Sequence, residues 1–139
     1  MASTDSLSGT TLGDLYNVMN EFVRWLMRSF PSCDKTQAWG RLFVDTDAAK
    51  QGKDREEWMS YLAMEVYDAL KDRKKALQER NAEDIFTISL PIVKEVGLKV
   101  KYEAVMDEAA RNDVWVYMKA LFNLSKKFKI SGNQPSRKV

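Results

Sequence analysis

Residues 11–31 read TLGDLYNVMNEFVRWLMRSFP, and their spacing decides the fold class. Leu12, Leu15, Tyr16, Met19, Phe22, Val23, Leu26, Met27 and Phe30 recur in steps of three and one, which gathers all of them on one stripe of a 3.6-residue helix. The stretch is predicted to be an amphipathic helix with Thr11 as its N-cap and Asp14 at the positive end of its dipole. Pro31 stops it, because the residue before a proline is pushed out of the α region.

Working outward, Asp34 and Gln37 form a capping-box-like pair and predict a second helix carrying Ala38, Trp39, Leu42 and Phe43. Gly40 weakens that helix by up to about 1 kcal/mol relative to alanine. The polar run 45–53, with Gly52 in it, holds a loop. Asp54 followed by Glu57 opens what should be the longest helix, lined by Met59, Leu62, Ala63, Val66, Leu70 and Leu77. Its charged end, Lys71 to Arg80, is expected to project beyond the core or to be covered by another chain. Asn81 closes this helix or caps the next, since Glu83 and Asp84 suit a helix start. Pro91 begins a fresh turn or breaks the old one, and Gly97 ends the segment containing Ile92, Val93 and Val96. Alternation between Leu98 and Tyr102 taken alone favours a short strand. No partner strand is visible, however, and Val105, Met106 and Ala109 continue a helical spacing, so a helix over 99–111 is preferred. A last helix, capped near Asn112, presents Val114, Trp115, Met118, Leu121, Phe122 and Ser125 on one face, with Phe128 a turn further. The expected architecture is all-α: an irregular bundle of five or six helices in a single domain at 11–129, with a flexible lead at 1–10 and an irregular basic tail at 130–139.

With 139 residues, 45% of them hydrophobic and 30% charged, the chain can bury about 70% of its unfolded surface in one core without disulfides or metal. It contains no histidine, which excludes Ser-His-Asp and Cys-His catalysis, the common histidine-containing zinc sites and the Glu-x-x-His di-iron bundle. The single cysteine, Cys33, can form neither an internal disulfide nor a four-cysteine metal site, and fits a reducing intracellular setting better than a secreted scaffold. No stretch approaches the roughly 20 apolar residues of a membrane helix, and residues 1–10 lack the apolar segment of a signal peptide. Charge is divided unevenly. Asp113 is the last acidic residue, and Lys119, Lys126, Lys127, Lys129, Arg137 and Lys138 come after it; removing these six from the overall +2 leaves −4 for the first 113 residues. A mildly acidic body with a basic end can guide an anionic partner, over about 8 Å in cellular salt.

The first helix ending in Phe30-Pro31, the hinge Leu90-Pro91-Ile92-Val93 and the closing run Val114-Trp115-Val116-Tyr117-Met118-Lys119-Ala120-Leu121 together resemble a set of small helical proteins from large nucleocytoplasmic DNA viruses. In those proteins an early helix ends in Phe-Pro and a late one carries a Trp-x-Tyr-Leu-x-x-Leu pattern. Here Trp115, Tyr117 and Leu121 keep their positions and Met118 stands where leucine is usual. The resemblance spans roughly residues 15–124. It implies an all-helical fold and a viral setting, and it transfers no activity and no catalytic residue.

Each chemically suggestive cluster has a plainer reading beside it. Glu65, Asp68 and Asp72 share a helical face, but Lys71, Arg73, Lys74 and Lys75 lie close by, as on a solvated face laced with ion pairs. A magnesium site there lacks a second acidic cluster and a phosphate loop. Cys33 precedes a presumed helix start with Lys35 nearby, an arrangement that lowers a thiol pKa, yet without histidine a half-buried structural thiol is the stronger reading. Trp39, Trp58 and Trp115 fall on or beside apolar stripes and read as core anchors. Trp25 points away from the stripe of the first helix and is a candidate contact for a partner protein. Lys126, Lys127 and Lys129, interleaved with Phe128 and followed by Arg137 and Lys138, suit phosphates or another anionic surface, although such lysines also complement a helix's negative end.

These readings point to a non-enzymatic interaction protein, with no cofactor, metal or small-molecule substrate expected. The expected setting is the host cytoplasm or nucleus, or the virion, as a minor capsid or accessory component. Its partners would be virion proteins or a second copy of the chain. The alternative is a helical module that binds nucleic acid through the basic end.

Overall fold

The computed structural model describes residues 10–132, and within them eight α-helices and no strand make an irregular all-α bundle. Five of the helices have seven residues or more. The first, α1, runs over Thr11–Ser29, and its cap is not Thr11 but Thr10, whose hydroxyl accepts from the Gly13 amide at 2.9 Å. Its stripe is the foundation of the core, with Leu15, Phe22, Val23 and Leu26 fully buried.

The second helix, α2, spans Asp34–Ala49 with Cys33, not Asp34, at the N-cap position. Gln37 does not close a capping box. Its side-chain amide reaches back and donates to the carbonyls of Met27 (2.9 Å) and Phe30 (3.1 Å), satisfying the open end of α1. The buried side of α2 is also rotated from the expected one. It consists of Thr36, Gly40 and Phe43, while Ala38 and Leu42 face solvent. Gly40 explains the rotation: a β-carbon there would sit 2.5 Å from Met27 Sδ, so the glycine lets α2 approach α1 closely.

The connection to α3, Gly52–Leu70, is short, and Gln51 rather than Asp54 occupies its N-cap. Tyr16 of α1 donates to Asp47 Oδ2 of α2 (2.7 Å), Arg55 of α3 pairs with Asp47 at 3.0 Å, and the Arg55 guanidinium lies 4.8 Å from the Tyr16 ring centroid. One half-buried polar knot thus ties the first three helices.

The chain turns after Leu70 instead of running on to Arg80. Lys74–Gln78 forms the short α4, with Ala76 and Leu77 buried, so this charged segment folds back onto the core. Asn81 then caps α5, Ala82–Ile85, by accepting from the Asp84 amide. Pro91 opens α6, Pro91–Lys94, at its first position. Gly97, at φ +64°, reverses the chain into α7, Leu98–Ala104. The alternating run at 98–102 is helical: Leu98 is buried and Tyr102 turns inward onto Phe86 and Trp115, while Val100 is exposed. This helix ends before Val105, and Asp107 starts the last one, α8 at Glu108–Lys127, by accepting from the Ala110 amide at 2.8 Å. Asn112 lies inside α8, and the expected helix over 99–111 is two helices with a break between them. The buried face of α8 is the expected one, Val114, Trp115, Met118, Leu121, Phe122 and Ser125. Beyond it Phe128 is buried in a π-helical turn over Phe128–Gly132, so the first residues of the expected irregular tail are helical. The first and last long helices, α1 and α8, form the main seam of the bundle, with α3 packed on α8 and α2 on α1.

Candidate functional site

Three surface features collect the chemistry-bearing side chains. The first is an aromatic edge on the seam between α1 and α8. Trp25 is half-buried, its ring 6.2 Å from Phe22 and 5.9 Å from Tyr117, and Tyr117 in turn stacks on Phe22 at 4.7 Å. Around this pair stand Glu21 and Arg28, themselves an exposed ion pair at 4.0 Å, and Asp113. Burial first, and then the carboxylates of Glu21 and Asp113, raise the Tyr117 hydroxyl above the ordinary phenol value, with Arg28 opposing them. Trp25, expected from its spacing to point away from the stripe, is half-buried and packs beside the core on Phe22 and Tyr117. Spacing along the chain singles out Trp25 and gives no sign of Tyr117, which comes to the edge only through the docking of α8 on α1.

The second feature is basic. Lys126 and Lys127 at the end of α8 and Lys129 in the turn after it are exposed, whereas Phe128 between them is buried and offers no face for a base to stack on. Lys129 Nζ lies 5.8 Å from the Tyr67 ring centroid. Lys126 joins Lys119 and Lys74 in lining an open groove of about 230 Å³ between α4 and α8, together with Gln78 and Asn123. Lys74 enters because α4 folds back; a helix running straight to Arg80 would have carried it away. Arg137 and Lys138 lie outside the described residues.

The third is Cys33, partly exposed at the start of α2. Lys101 of α7 donates to its Sγ at 3.1 Å and to the Val96 carbonyl at 2.6 Å, while its ammonium lies 5.4 Å from the Phe30 ring centroid. The Thr36 hydroxyl and amide beside the sulfur, and then the Lys101 ammonium, bring the thiol down to about 7 against the small opposing effect of burial. Lys35, the cation suggested by the sequence, is not the one that acts. Lys101 is 68 residues away.

The carboxylates of α3 do not converge. Asp68 pairs with Lys71 at 3.6 Å, both exposed, and Glu65 lies beside the Tyr61 hydroxyl and raises its pKa. Among the described residues no three His, Cys, Asp or Glu side chains are grouped to hold a metal ion, and no helix is long and apolar enough to cross a membrane. A cleft of about 670 Å³ beside α7 and α8 is bordered by Arg80, Tyr102, Arg111 and Trp115. Three of its lining side chains engage one another or the backbone: Arg111 donates to the carbonyls of Tyr102 and Glu103 and covers the Tyr102 ring, and Trp115 Nε1 donates to the Tyr102 hydroxyl at 2.9 Å. The chain matches no protein-family model, and comparison with curated proteins and with solved structures gives no match either.

Proposed function

We propose that the chain is a non-enzymatic protein–protein interaction protein, a structural or accessory component of a large DNA virus such as a minor capsid or virion protein. The observation that carries this reading is the Trp25–Tyr117 edge, two aromatic rings 5.9 Å apart within a rim of Glu21, Arg28 and Asp113. An aromatic centre ringed by charged groups is the usual anatomy of a protein interface, and tryptophan, tyrosine and arginine are the residues that most often carry its energy. The resemblance of the Phe30-Pro31 and Trp115–Leu121 segments to viral proteins supplies the setting. The test is a photo-crosslinking residue at position 25, with a second at the exposed Glu56 as control, in the assembled virion or the complex purified from infected cells. A discrete adduct to one protein from position 25 alone is expected. Trp25→Ala should then weaken that complex by about 2 kcal/mol, roughly thirtyfold, with the helical signal retained. Equal crosslinking from both positions, or none from position 25, rejects the reading.

The runner-up is an anionic-partner or nucleic-acid module, supported by the convergence of Lys74, Lys119 and Lys126 on one groove that no carboxylate lines. Duplex DNA titrated across a salt series distinguishes it. Lys119→Ala with Lys126→Ala should lower both affinity and the salt slope if phosphates occupy the groove.

A further inference from the structure

We propose that Cys33 is an oxidative modification site, a thiolate held between Thr36 and Lys101 that takes a small hydroperoxide to give a sulfenic acid and then accepts a low-molecular-weight thiol.

Three independent features meet at the sulfur. Cys33 stands in the N-cap position of the 16-residue α2, no side-chain hydrogen bond caps the helix there, and its open first-turn amides favour negative charge at that position. Thr36 is 1% exposed and its hydroxyl has no partner of good geometry, although it lies within the reach of the sulfur. A buried hydroxyl without an acceptor is costly, and a thiolate at Cys33 supplies one where a neutral thiol is a weak acceptor. The third feature is the Lys101 ammonium, 3.1 Å from Sγ. Lys101 is held there by the Val96 carbonyl and the Phe30 ring, so little side-chain freedom is lost when it binds an anion. Among the described residues it is the charged group whose field acts on the sulfur, and Asp34 and Lys35 beside it in sequence carry opposite signs. The sulfur remains open to a small reagent, because Cys33 is only partly buried.

The chemistry balances without further groups. The thiolate sulfur attacks one oxygen of the hydroperoxide, the O–O bond breaks and an S–O bond forms. For hydrogen peroxide the other oxygen leaves as hydroxide and takes a proton to become water. Sulfur loses the two electrons that the peroxide gains, and Lys101 is placed to supply the proton or stabilise the departing charge. A small thiol such as glutathione then attacks the sulfenic sulfur, an S–S bond forms, and the sulfenic oxygen leaves as water with the thiol's proton. Both steps are independent of whether the Trp25–Tyr117 edge binds a protein.

The chain carries one cysteine, so an adduct on the intact protein reports Cys33 alone. Iodoacetamide alkylation of the full chain across pH should give a midpoint near 7. An ordinary thiol titrates near 8.5, and at pH 7 the difference is about fifteenfold in thiolate fraction. The alkylation rate at pH 7 gains only about threefold, since a less basic thiolate is a weaker nucleophile, so the midpoint is the sharper readout. Lys101→Gln and Thr36→Val should each move the midpoint upward. Hydrogen peroxide with dimedone should trap a sulfenic adduct that Cys33→Ser abolishes, and peroxide with glutathione should give the mixed disulfide. If Thr36→Val fails to fold, Lys101→Gln decides alone. A wild-type midpoint at the ordinary thiol value, a midpoint unmoved in folded Lys101→Gln, or no dimedone adduct overturns the proposal.

Discussion

Asp47 holds the first three helices to one another with a single carboxylate. It accepts the Tyr16 hydroxyl with one oxygen and pairs with Arg55 through the other, and the two ionic side chains retain only 16% and 12% of their exposure. The Arg55 Nε has no partner there, so the pair is not fully satisfied, and its value lies in joining elements more than in net attraction. Removing one member leaves the other charge half-buried and alone. Arg55→Met is therefore expected to destabilise the protein by about 2 kcal/mol, below the cost for a fully buried pair because some water still reaches Asp47. Urea unfolding at neutral pH measures it. The double variant Arg55→Met with Asp47→Leu should recover part of the loss. Neither partnership is legible in the sequence, where Asp47 and Arg55 sit in and beside a polar run that reads as loop. A side chain's partner across 31 residues, as for Tyr16 and Asp47, is set by how helices dock and leaves no local spacing to detect. The same holds for Cys33: its position at a helix start is readable, and its cation is not.

At the scale of elements, glycine reads differently in sequence and in space. Gly40 in the middle of α2 looks like a weak point, and by helix propensity alone Gly40→Ala would stabilise. The added methyl would lie 2.5 Å from Met27 Sδ and 2.7 Å from its Cγ, so Met27 must leave its place against α2. The variant is expected to be less stable by about 1 kcal/mol, the overpacking cost exceeding the propensity gain, and thermal unfolding checks the sign. Gly40 and Thr36 also show why hydrophobicity locates only part of the buried side of α2, Phe43 and Trp39 facing the core as expected and Ala38 and Leu42 not. The buried side is built largely of small residues and the exposed side carries Leu42. Where burial is carried by large residues, as on α1 and α8, the 3.6-residue spacing locates the face correctly. Breaks are harder to place. The turn after Leu70 and the stop before Val105 have neither glycine nor proline at them, and what ends each helix is the gain from burying Leu77 and Met106 against the rest of the core.

For the whole molecule, the core is contributed by helices from both ends of the chain. Leu15 of α1 and Leu121 of α8 are each fully buried, and neither helix can cover its stripe alone. Unfolding is expected to be one cooperative transition, with Leu15→Ala costing about 3 kcal/mol through lost burial and the cavity left behind. A chain ending at Ala104, without α8, should show no cooperative transition by circular dichroism. A sharp transition in that fragment would mean the earlier helices form a core of their own. The all-α class and the outer helices of this arrangement are legible from periodicity, whereas the pairing of first with last is not, since hydrophobic spacing tells which face is buried and not against what.

The α1–α8 seam also sets a schedule for biosynthesis. At about 5 to 20 residues per second, on the order of 5 to 20 seconds separate the emergence of α1 from the completion of its partner. During that interval the apolar stripe of α1 has α2 and α3 to lie against and lacks α8, its largest partner. The native core therefore closes only after the last codons of α8 have been read.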